Sequence, residues 1–429
     1  MRAPKRHPLP PGPSPGIMTQ GVAFHRDPLG MLRRARARFG DVFTLRLPTE
    51  GALVAVCDPE AVAQLVPGDP ALACAGSGRR RILPQATTVS VLGSDGPVHA
   101  AARARMTTVF AAEVLDARRS EMTAIAERHV AAWPRNRPFR VLPRMRAIAD
   151  EIFARLVVGI EDEARGRALA EAVQRTTATP GNPPLSPAGE GDGLTGALVE
   201  AVYRRRRRRV AELLAAEIAD RRGRDHDPTT IVGALLDDDP SRATEELVDE
   251  IVPLLLAGQE PPAAALTWVL DRLGREPELA ERYLAAPAED PFRHAFVREA
   301  LRLRPAVVAL MRPLRAPLDV AGHRLPAGAA TMLPLPVLHH DPRTFPDPER
   351  FDVGRFAGGA PDPPSYLPFG GGSRRCLGEP LAHAELGTVI PAVLEQVRLR
   401  PVWPAPERMV VRATILVPHR SGLMVATDR

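Results

Sequence analysis

The sequence predicts a mainly α-helical α+β fold built as one large domain. The long middle of the chain repeats apolar residues at helical spacing in one segment after another. Short alternating segments, which are typical of β-strands, cluster towards the two ends of the chain. Because the 429 residues show no internal repeat, this distribution favours a single helical body with small sheets over a row of separate modules.

The first elements can be predicted from local signals. Residues 1–26 are rich in proline and are expected to form an extended surface arm, which leaves 27–429 as the folded domain. Asp27 is a suitable N-cap, Pro28 a suitable first helical residue and Gly40 a suitable stop, so a helix is predicted between them. The segments DVFTLRL and ALVAVC then alternate around PTEG and predict a β-hairpin.

The middle and C-terminal elements follow from the same periodicities. Predicted helices cover His99–Phe110, Ser120–Ala132, Met145–Val158, Val199–Arg222, Glu245–Leu273 and Phe292–Leu303. Predicted strands cover Leu318–Ala321 and Ala330–Leu335 and lie within Met409–Leu416. The segment Thr179–Gly193 is rich in proline and glycine, so we predict a mobile surface loop that gates entry to a site.

Composition and charge argue against several classes of protein. No run approaches the ~20 apolar residues that span a bilayer, and no apolar core follows the basic N-terminus, so we expect a cytoplasmic monomer without membrane contact. Arg204–Arg209 is a run of six arginines. Apolar residues follow it at helical spacing, which favours an amphipathic helix with a solvated basic face over a nucleic-acid site. Cys57 and Cys74 sit among small apolar residues and are expected to be reduced and buried.

The most informative segment is LPFGGGSRRCLGEPLAHAEL, which contains Cys376. Three consecutive glycines let the backbone reach positive φ and approach a flat partner closely. The pattern becomes helical after Cys376, and a thiolate just before a helix N-terminus is stabilised by backbone N–H groups and the helix dipole. The spacing Phe369-x-x-Gly372-x-Arg374-x-Cys376-x-Gly378 resembles the haem-binding signature of the cytochrome P450 superfamily. The alternative is an ordinary glycine-rich turn with a bystander cysteine.

Two further patterns agree with this resemblance. Glu299 and Arg302 have the spacing of a pair on one helix face, and by resemblance they form a buried structural triad with Arg350 of the segment PERF. His99 and Arg103 lie one helical turn apart and can reach one anionic group together. By resemblance, the haem-binding residues are His99, Arg103, Arg312, Phe369, Gly370, Arg374, Cys376 and Gly378.

The resemblance implies a triangular helical prism that holds haem b, with the Cys376 thiolate as the axial ligand of the iron. Thiolate ligation favours cleavage of the O–O bond. The implied function is a monooxygenase that inserts one atom of O2 into an apolar small molecule, expected to be a natural-product intermediate. Electrons would come from NAD(P)H through a ferredoxin reductase and a ferredoxin. The substrate pocket would be lined by Ile82, Leu83, Leu254, Leu255, Ala257, Val307, Val308 and Leu416.

The predicted central helix departs from the family pattern at one position. The family usually carries Ala/Gly-Gly-x-Asp/Glu-Thr, and here Gly258 and Glu260 fit but Pro261 replaces the threonine. Pro261 has neither a hydroxyl nor an N–H, so one interpretation is that the Pro261-Pro262 pair merely fixes a bend in the helix. The other is that proton delivery is rebuilt, with Gly258, Glu260 and Pro261 as the catalytic candidates.

The missing threonine leaves other reactions open. Peroxide-driven oxidation, desaturation and oxidative coupling depend less on the usual relay of protons than oxygen insertion does. A competing hypothesis of another class is a haem-binding protein that does not oxygenate anything. Product formation would distinguish that hypothesis from an enzyme.

Overall fold

Helices make up most of the computed structural model, which describes residues 9–48, 50–82, 86–177, 194–358 and 361–429. The α-helices are α1 Ile17–Arg26, α2 Pro28–Phe39, α3 Pro59–Leu65, α4 Ala75–Ile82, α5 Gly96–Thr107, α6 Ala112–Ala117, α7 Arg119–Ala131, α8 Val141–Ile152, α9 Glu163–Thr177, α10 Leu194–Arg221, α11 Ile231–Asp238, α12 Thr244–Ala257, α13 Glu260–Arg275, α14 Pro277–Ala285, α15 Pro291–Leu303, α16 Leu335–Leu338 and α17 Glu379–Gln396. A π-helix covers Phe153–Val158, and 3-10 turns cover Val353–Phe356 and Gly372–Arg374. Every helix in this part of the chain is too short or too polar to cross a lipid bilayer.

The strands are short and form four small sheets. They are β1 Val42–Leu47, β2 Gly51–Val56, β3 Pro138–Arg140, β4 Ala309–Met311, β5 Leu318–Val320, β6 His323–Leu325, β7 Thr331–Pro334, β8 Val397–Pro401, β9 Met409–Arg412, β10 Ile415–Pro418 and β11 Leu423–Asp428. The largest sheet has the order β1-β2-β7-β4, and the others are β3-β11-β8, β9-β10 and β5-β6. β7 pairs with β2 in parallel and opposes Thr331 to Val54, so this sheet joins strands from the N-terminal part and from the C-terminal third of the chain. The predicted α+β class is therefore confirmed.

The N-terminal arm is shorter than predicted. Its described part lies along β1, where the Thr44 N–H donates to the Pro11 carbonyl at 3.0 Å and the Thr44 hydroxyl donates to the Pro10 carbonyl at 2.6 Å. The expectation of an extended arm up to residue 26 is wrong, since Ile17–Arg26 forms α1. Gln20 explains why this segment is ordered. Its buried amide donates to two carbonyls of the arm and accepts the N–H of Arg46, which fixes α1 against the sheet.

Most local signals led to the predicted element. Asp27 caps α2 by accepting the Gly30 N–H at 3.0 Å, and α2 ends at Gly40, whose φ is 88°. The predicted helix with a basic face is α10, in which four of the six arginines are exposed while Val210, Leu214 and Ile218 are buried. Most helices and the sheet β3-β11-β8 share one apolar core, and the sheets β1-β2-β7-β4 and β5-β6 share a second with α1–α3. The predicted loop Thr179–Gly193 lies outside the described residues.

The predicted helix Glu245–Leu273 is two helices, α12 and α13, separated by Gly258 and Gln259. The Gly258 N–H still closes α12 by donating to the Leu254 carbonyl at 2.8 Å, and α13 begins at Glu260. Pro261 and Pro262 therefore occupy the second and third positions of a new helix. The first N–H groups of a helix have no intrahelical acceptor, so two prolines there remove no helical hydrogen bond.

Gly258 lies against the π-helix that follows α8. A Cβ atom at Gly258 would lie 2.2 Å from Cε2 of Phe153, the first residue of the π-helix. The glycine is therefore required for the close approach of these two irregular segments. The sequence-based prediction of one regular helix over Met145–Val158 is wrong in its last six residues, which take the wider π turn.

Candidate functional site

Cys376 follows a loop whose backbone conformation depends on glycine. Gly370 and Gly372 have φ values of 69° and 60°, and a Cβ atom at Gly372 would lie 2.2 Å from the Pro67 carbonyl oxygen. The Cys376 N–H donates to the Phe369 carbonyl at 2.8 Å, which closes the loop directly before α17. We call residues 367–378 the Cys376 loop. The sequence predicted that the glycines let the backbone come close to a partner. In the structure the backbone of this loop comes close to the turn after α3.

The thiol of Cys376 opens onto a cleft inside the protein. The residue is exposed, yet protein atoms surround the sulfur closely, and this desolvation raises the pKa of the Cys376 thiol. The N–H of Gly378 donates to the sulfur and opposes that shift. Leu310 of β4 lies against the Cys376 loop, with Cδ2 3.7 Å from the position of a Cβ atom at Gly370. Cys57 and Cys74 are buried elsewhere, as predicted.

Basic side chains from four parts of the chain converge beside this cleft. The four predicted ones are His99 and Arg103 on α5, Arg312 after β4, and Arg374 in the Cys376 loop. Arg312 is held by a backbone carbonyl at the end of α3, because its Nε donates to the Leu65 carbonyl at 3.0 Å. Arg374 Nη2 donates to the Ser94 carbonyl at 2.8 Å and also to Asp95. Arg103 Nη1 donates to the Arg375 carbonyl at 2.8 Å.

A fifth basic residue, Arg79 on α4, was not predicted. Its charge acts on Cys376 and Asp95, and burial lowers the pKa of Arg79. The start of α4 is anchored to Asp95, because the N–H groups of Gly76 and Ser77 donate to the two Asp95 carboxylate oxygens at 2.9 and 3.0 Å. The segment GRRR carries no signal that separates Arg79 from the arginines beside it, so local pattern could not identify Arg79.

The converging cations repel one another. Burial, followed by Arg374 and Arg103, lowers the pKa of His99 to about 4. Burial, followed by Arg79 and Arg374, lowers the pKa of Arg312 to about 9. Asp95 is the acidic group that pairs with Arg374, and Nη1 of Arg374 is buried without a hydrogen-bond partner in the described part of the chain. This arrangement suits an anionic ligand with carboxylate groups, which arginine binds in fixed geometry.

The predicted pair of Glu299 and Arg302 is present on α15. Both side chains are 0% exposed, and the two guanidinium nitrogens donate to the two carboxylate oxygens at 2.7 and 2.8 Å. The predicted third member, Arg350, is wrong. The Arg350 side chain is exposed and only its carbonyl accepts from Arg302, while Arg355 Nε lies 3.4 Å from Glu299 Oε1. The 3-10 turn at Val353–Phe356 directs Arg355 inward, which the segment PERF alone does not reveal.

The buried pair is connected to the Cys376 loop through His339. Arg302 Nη1 donates to the His339 carbonyl at 2.8 Å, and the Leu367 N–H donates to Nε2 of the same histidine at 2.9 Å. Burial lowers the pKa of His339 to about 3, so the ring is neutral and its Nε2 is a permanent acceptor. The ion pair on α15 thus holds the first residue of the loop.

Comparisons with known proteins agree with this geometry. Residues 287–422, which include Cys376 and neither of the other cysteines, match the family model described as cytochrome P450. The chain is 34% identical to cytochrome P450 135B1 of Mycobacterium tuberculosis over 96% of its own length and 90% of that protein. The chain belongs to the cytochrome P450 family. Cytochrome P450 135A1 of the same organism is 30% identical to this P450, with 98% and 96% of the two chains covered.

Solved structures show the same P450 fold. Retinoic acid-bound cyanobacterial CYP120A1 has a TM-score of 0.81 to this chain at 22% identity, covering 99% of this chain and 100% of that one. A six-coordinated cytochrome P450 from Thermus thermophilus has a TM-score of 0.73 at 26% identity, covering 94% and 99%. The predicted family and fold are therefore confirmed.

Family membership gives this P450 its cofactor and its class of reaction. Cytochrome P450 proteins are haem monooxygenases that hold the iron through a cysteine thiolate, so the protein is an oxidoreductase and Cys376 is the matching cysteine. The residues present fit haem. A thiol accepts an N–H before a helix, and the cluster of arginines, with an unpartnered Arg374 nitrogen, would hold the carboxylates of the porphyrin.

The predicted lining residues fall into two groups. Val307 is half-buried and Ala257 is exposed, whereas Leu254 and Val308 are 5% and 7% exposed at the edge of the core. Leu255 and Leu416 are fully buried, so the prediction that they line a pocket is wrong; Leu416 lies in the strand β10, where its carbonyl accepts from Trp268 Nε1 at 3.0 Å. Leu83 and the side chain of Ile82 lie outside the described residues.

The three catalytic candidates lie together at the break between α12 and α13, but they face different neighbours. Gly258 contacts Phe153, as described above. Glu260 Oε2 accepts from Arg146 Nη2 of α8 at 2.6 Å, so its carboxylate is held in an ion pair. Pro261 follows in the first turn of α13 and offers neither a hydroxyl nor an N–H for a hydrogen bond.

Proposed function

We propose that this cytochrome P450 inserts one atom of O2 into an apolar small molecule. The observation that carries the proposal is the Cys376 loop, in which a thiol stands before α17, accepts the Gly378 N–H and lies among the cations that suit the haem carboxylates. Haem, when bound, supplies the chemistry of O2 activation. The protein contributes the position of the thiolate, the binding of the carboxylates and the apolar surroundings.

The walls of the cleft favour an apolar substrate. The three residues of β4, Ala309, Leu310 and Met311, are all half-buried, in contrast to the fully buried residues of the neighbouring β7. Their exposed apolar surface lies beside the Gly370 end of the Cys376 loop. A pocket with aliphatic walls and few polar groups binds a hydrophobic ligand. We place the substrate among natural-product intermediates of terpenoid, polyketide or peptide type.

A small iron–sulfur protein is the proposed electron donor. The chain carries a net charge of +6, which would attract an acidic ferredoxin, itself reduced by a ferredoxin reductase and NAD(P)H. Arg375 is exposed directly beside Cys376 and forms an ion pair with Glu379 at 2.5 Å, so its charge lies at the surface closest to the thiolate. We expect the rate of reduction by a ferredoxin to fall steeply with rising salt, because screening weakens the attraction.

The test is spectroscopic and catalytic. Reduction with dithionite followed by carbon monoxide should give the red-shifted Soret band of a thiolate ligand, and Cys376→Ala should lose it. Cys74→Ala is the matched control, because Cys74 is a buried cysteine outside the loop, and this variant should keep the band. Consumption of NADPH with formation of an oxygenated product, using surrogate redox partners and a panel of apolar compounds, completes the test. Cys376→Ala with an unchanged band would overturn the assignment.

A second candidate reaction is favoured by one observation. Pro261 offers no hydroxyl at the position where the family pattern has one, which would suit peroxide-driven oxidation, desaturation or oxidative coupling. Hydrogen peroxide supplied instead of NADPH and the redox partners distinguishes the candidates. Turnover faster with peroxide than with the electron-transfer chain would favour this second group of reactions.

A further inference from the structure

Two buried carboxyl groups are not used by any contact described so far. Asp150 on α8 is 1% exposed and Glu385 on α17 is 0% exposed. Neither carboxyl oxygen of Glu385 has a hydrogen-bond partner among the described residues, and the same holds for Oδ1 of Asp150. Oδ2 of Asp150 accepts from the side-chain amide of Gln174 on α9. Because an ionised carboxylate without donors is very unfavourable inside a protein, Glu385 is held in the neutral, protonated form, and burial with a single donor favours protonation of Asp150 as well.

The electrostatics of the two groups are linked. Burial raises the pKa of Asp150 to about 7, and Glu260 contributes to this rise while Gln174 and Arg146 oppose it. Burial, together with the charge of Asp150, raises the pKa of Glu385 well above its usual range. Because α13 packs against both α8 and α17, the two carboxyls lie on the two helices that flank α13, and Glu385 keeps its proton at neutral pH while Asp150 titrates close to it.

This neighbourhood extends to the break between α12 and α13. Arg146 lies one turn before Asp150 on α8 and is ion-paired with Glu260, the first residue of α13. The side chains of Arg146 and Glu260 are 24% and 20% exposed, so solvent reaches this end. Gln259 in the break is 1% exposed, and its amide nitrogen has no partner in the described part of the chain. Buried polar atoms of this kind are usually satisfied by ordered water.

We propose that Asp150 and Glu385 form a buried proton store, which supplies protons to the α12–α13 break through Glu260 and ordered water. The inference rests on the proposed function, because monooxygenation consumes two electrons and two protons for each O2. One oxygen atom enters the substrate, and the other leaves as water with the two protons. Each carboxyl gives up its proton during turnover, and between turnovers it recovers one from solvent, which reaches the partly exposed Arg146–Glu260 pair. The store takes the place of a hydroxyl relay that Pro261 cannot provide.

The first test uses variants that keep the shape of the side chains but remove the acidic proton. Asp150→Asn and Glu385→Gln should each lower product formed per NADPH by roughly tenfold, less than the loss of a group that itself transfers the proton in the transition state, and should raise the solvent deuterium isotope effect on turnover. Thr388→Val is the matched control on α17. The buried Thr388 hydroxyl donates to the Ala384 carbonyl at 2.8 Å within the same helix, so this variant should leave both quantities unchanged.

The second test does not depend on turnover. Infrared spectra of the haem-loaded protein at neutral pH should contain a protonated carboxyl C=O band, and Glu385→Gln should lack the part of that band that comes from Glu385. Absence of the band in the wild type would overturn the proposal. Unchanged coupling and isotope effect in both variants, with an intact carbon monoxide band, would also overturn it while leaving the monooxygenase assignment in place. Absence of the carbon monoxide band in the wild type would instead refute the proposed function.

Discussion

The N–H of Leu367 donates to Nε2 of His339 at 2.9 Å, and this hydrogen bond connects the Glu299–Arg302 pair to the loop that carries Cys376. The ion pair is far from any surface, and its arginine holds the His339 carbonyl from the other side. Leu367 and Cys376 belong to one closed loop, so a histidine without any catalytic role helps to set the position of the thiolate.

We predict that His339→Leu weakens haem retention. Loss of the acceptor leaves the buried Leu367 N–H unpaired, at about 1–3 kcal/mol, and this loosens the Cys376 loop. The measurement is the rate of haem transfer to apomyoglobin, together with the position of the Soret band of the carbon monoxide complex. His339→Gln retains an acceptor and should stay closer to wild type. Equal haem loss from the two variants would contradict the role of the hydrogen bond.

Arg355 rather than Arg350 should matter for stability. Arg355→Leu removes the second cation beside the buried Glu299 carboxylate, and we expect a loss of roughly 1–3 kcal/mol in the free energy of unfolding. Arg350→Leu is the matched control, because its side chain is exposed, and it should change stability by less than about 0.5 kcal/mol. Denaturant unfolding of both variants measures the difference, and a larger loss for Arg350→Leu would reverse the assignment.

Asp150 should make the fold less stable as pH rises. The pKa of Asp150 is raised to about 7 by burial, whereas an unfolded aspartate has a pKa near 4, so the unfolded chain releases this proton first. Stability from this group is therefore complete below about pH 4 and declines up to about pH 7, by on the order of 4 kcal/mol. Asp150→Asn should lack the decline. The difference in melting temperature between variant and wild type, compared at pH 5 and pH 8, should shift in favour of the variant at pH 8; a constant difference would count against a protonated Asp150.

Arg79 should contribute to haem binding although no motif includes it. Arg79→Gln removes a cation that acts on the surroundings of Cys376, and we expect haem affinity to fall roughly tenfold or more, as for a lost hydrogen bond to a charged group. Haem titration of the haem-free protein measures the effect. Arg208→Gln removes an exposed arginine of α10 and should leave affinity unchanged. Similar affinities for the two variants would place Arg79 outside the haem site.

Pro261→Thr should change coupling more than stability. A threonine at the second position of α13 adds an N–H where helices need no acceptor, so the fold should tolerate it, and it restores a hydroxyl at the break. We expect a higher ratio of product to NADPH consumed, with the dissociation constant of the substrate little changed. If the ratio does not move, Pro261 only shapes the start of α13.

The sequence predicted best where a function depends on a short contiguous segment. The Cys376 loop needs its glycines and its cysteine at fixed spacing, and the pair of Glu299 and Arg302 needs only one helical turn, so both were recognisable. Arg350 and Arg355 lie in the same segment, and only the tertiary path of the 3-10 turn decides which one reaches Glu299. Prolines are common at the start of a helix, so Pro261 and Pro262 could have indicated that α13 begins there. The apolar periodicity continues across the break, however, and it favoured the prediction of one long helix.

The buried carboxyls show a second limit of prediction from the sequence. Glu385 interrupts an apolar helical face formed by Leu381, Ala384 and Val389, and this signal was available in the sequence. Asp150 gave no comparable signal, because its burial depends on the packing of α8 against α9 and α13. Local patterns identify which residue is unusual, whereas its partners on other elements come only from the fold.

The contact between Gly258 and Phe153 has a consequence for changing this protein by design. Any side chain at position 258 would overlap the ring at position 153, so the two sites have to be varied together in a mutant library. Exchanging Phe153 for a smaller residue creates the room in which a larger residue 258 fits, and only such paired exchanges preserve the meeting of the π-helix with the helix break. Any redesign of this P450 therefore has to choose the residues at positions 153 and 258 together.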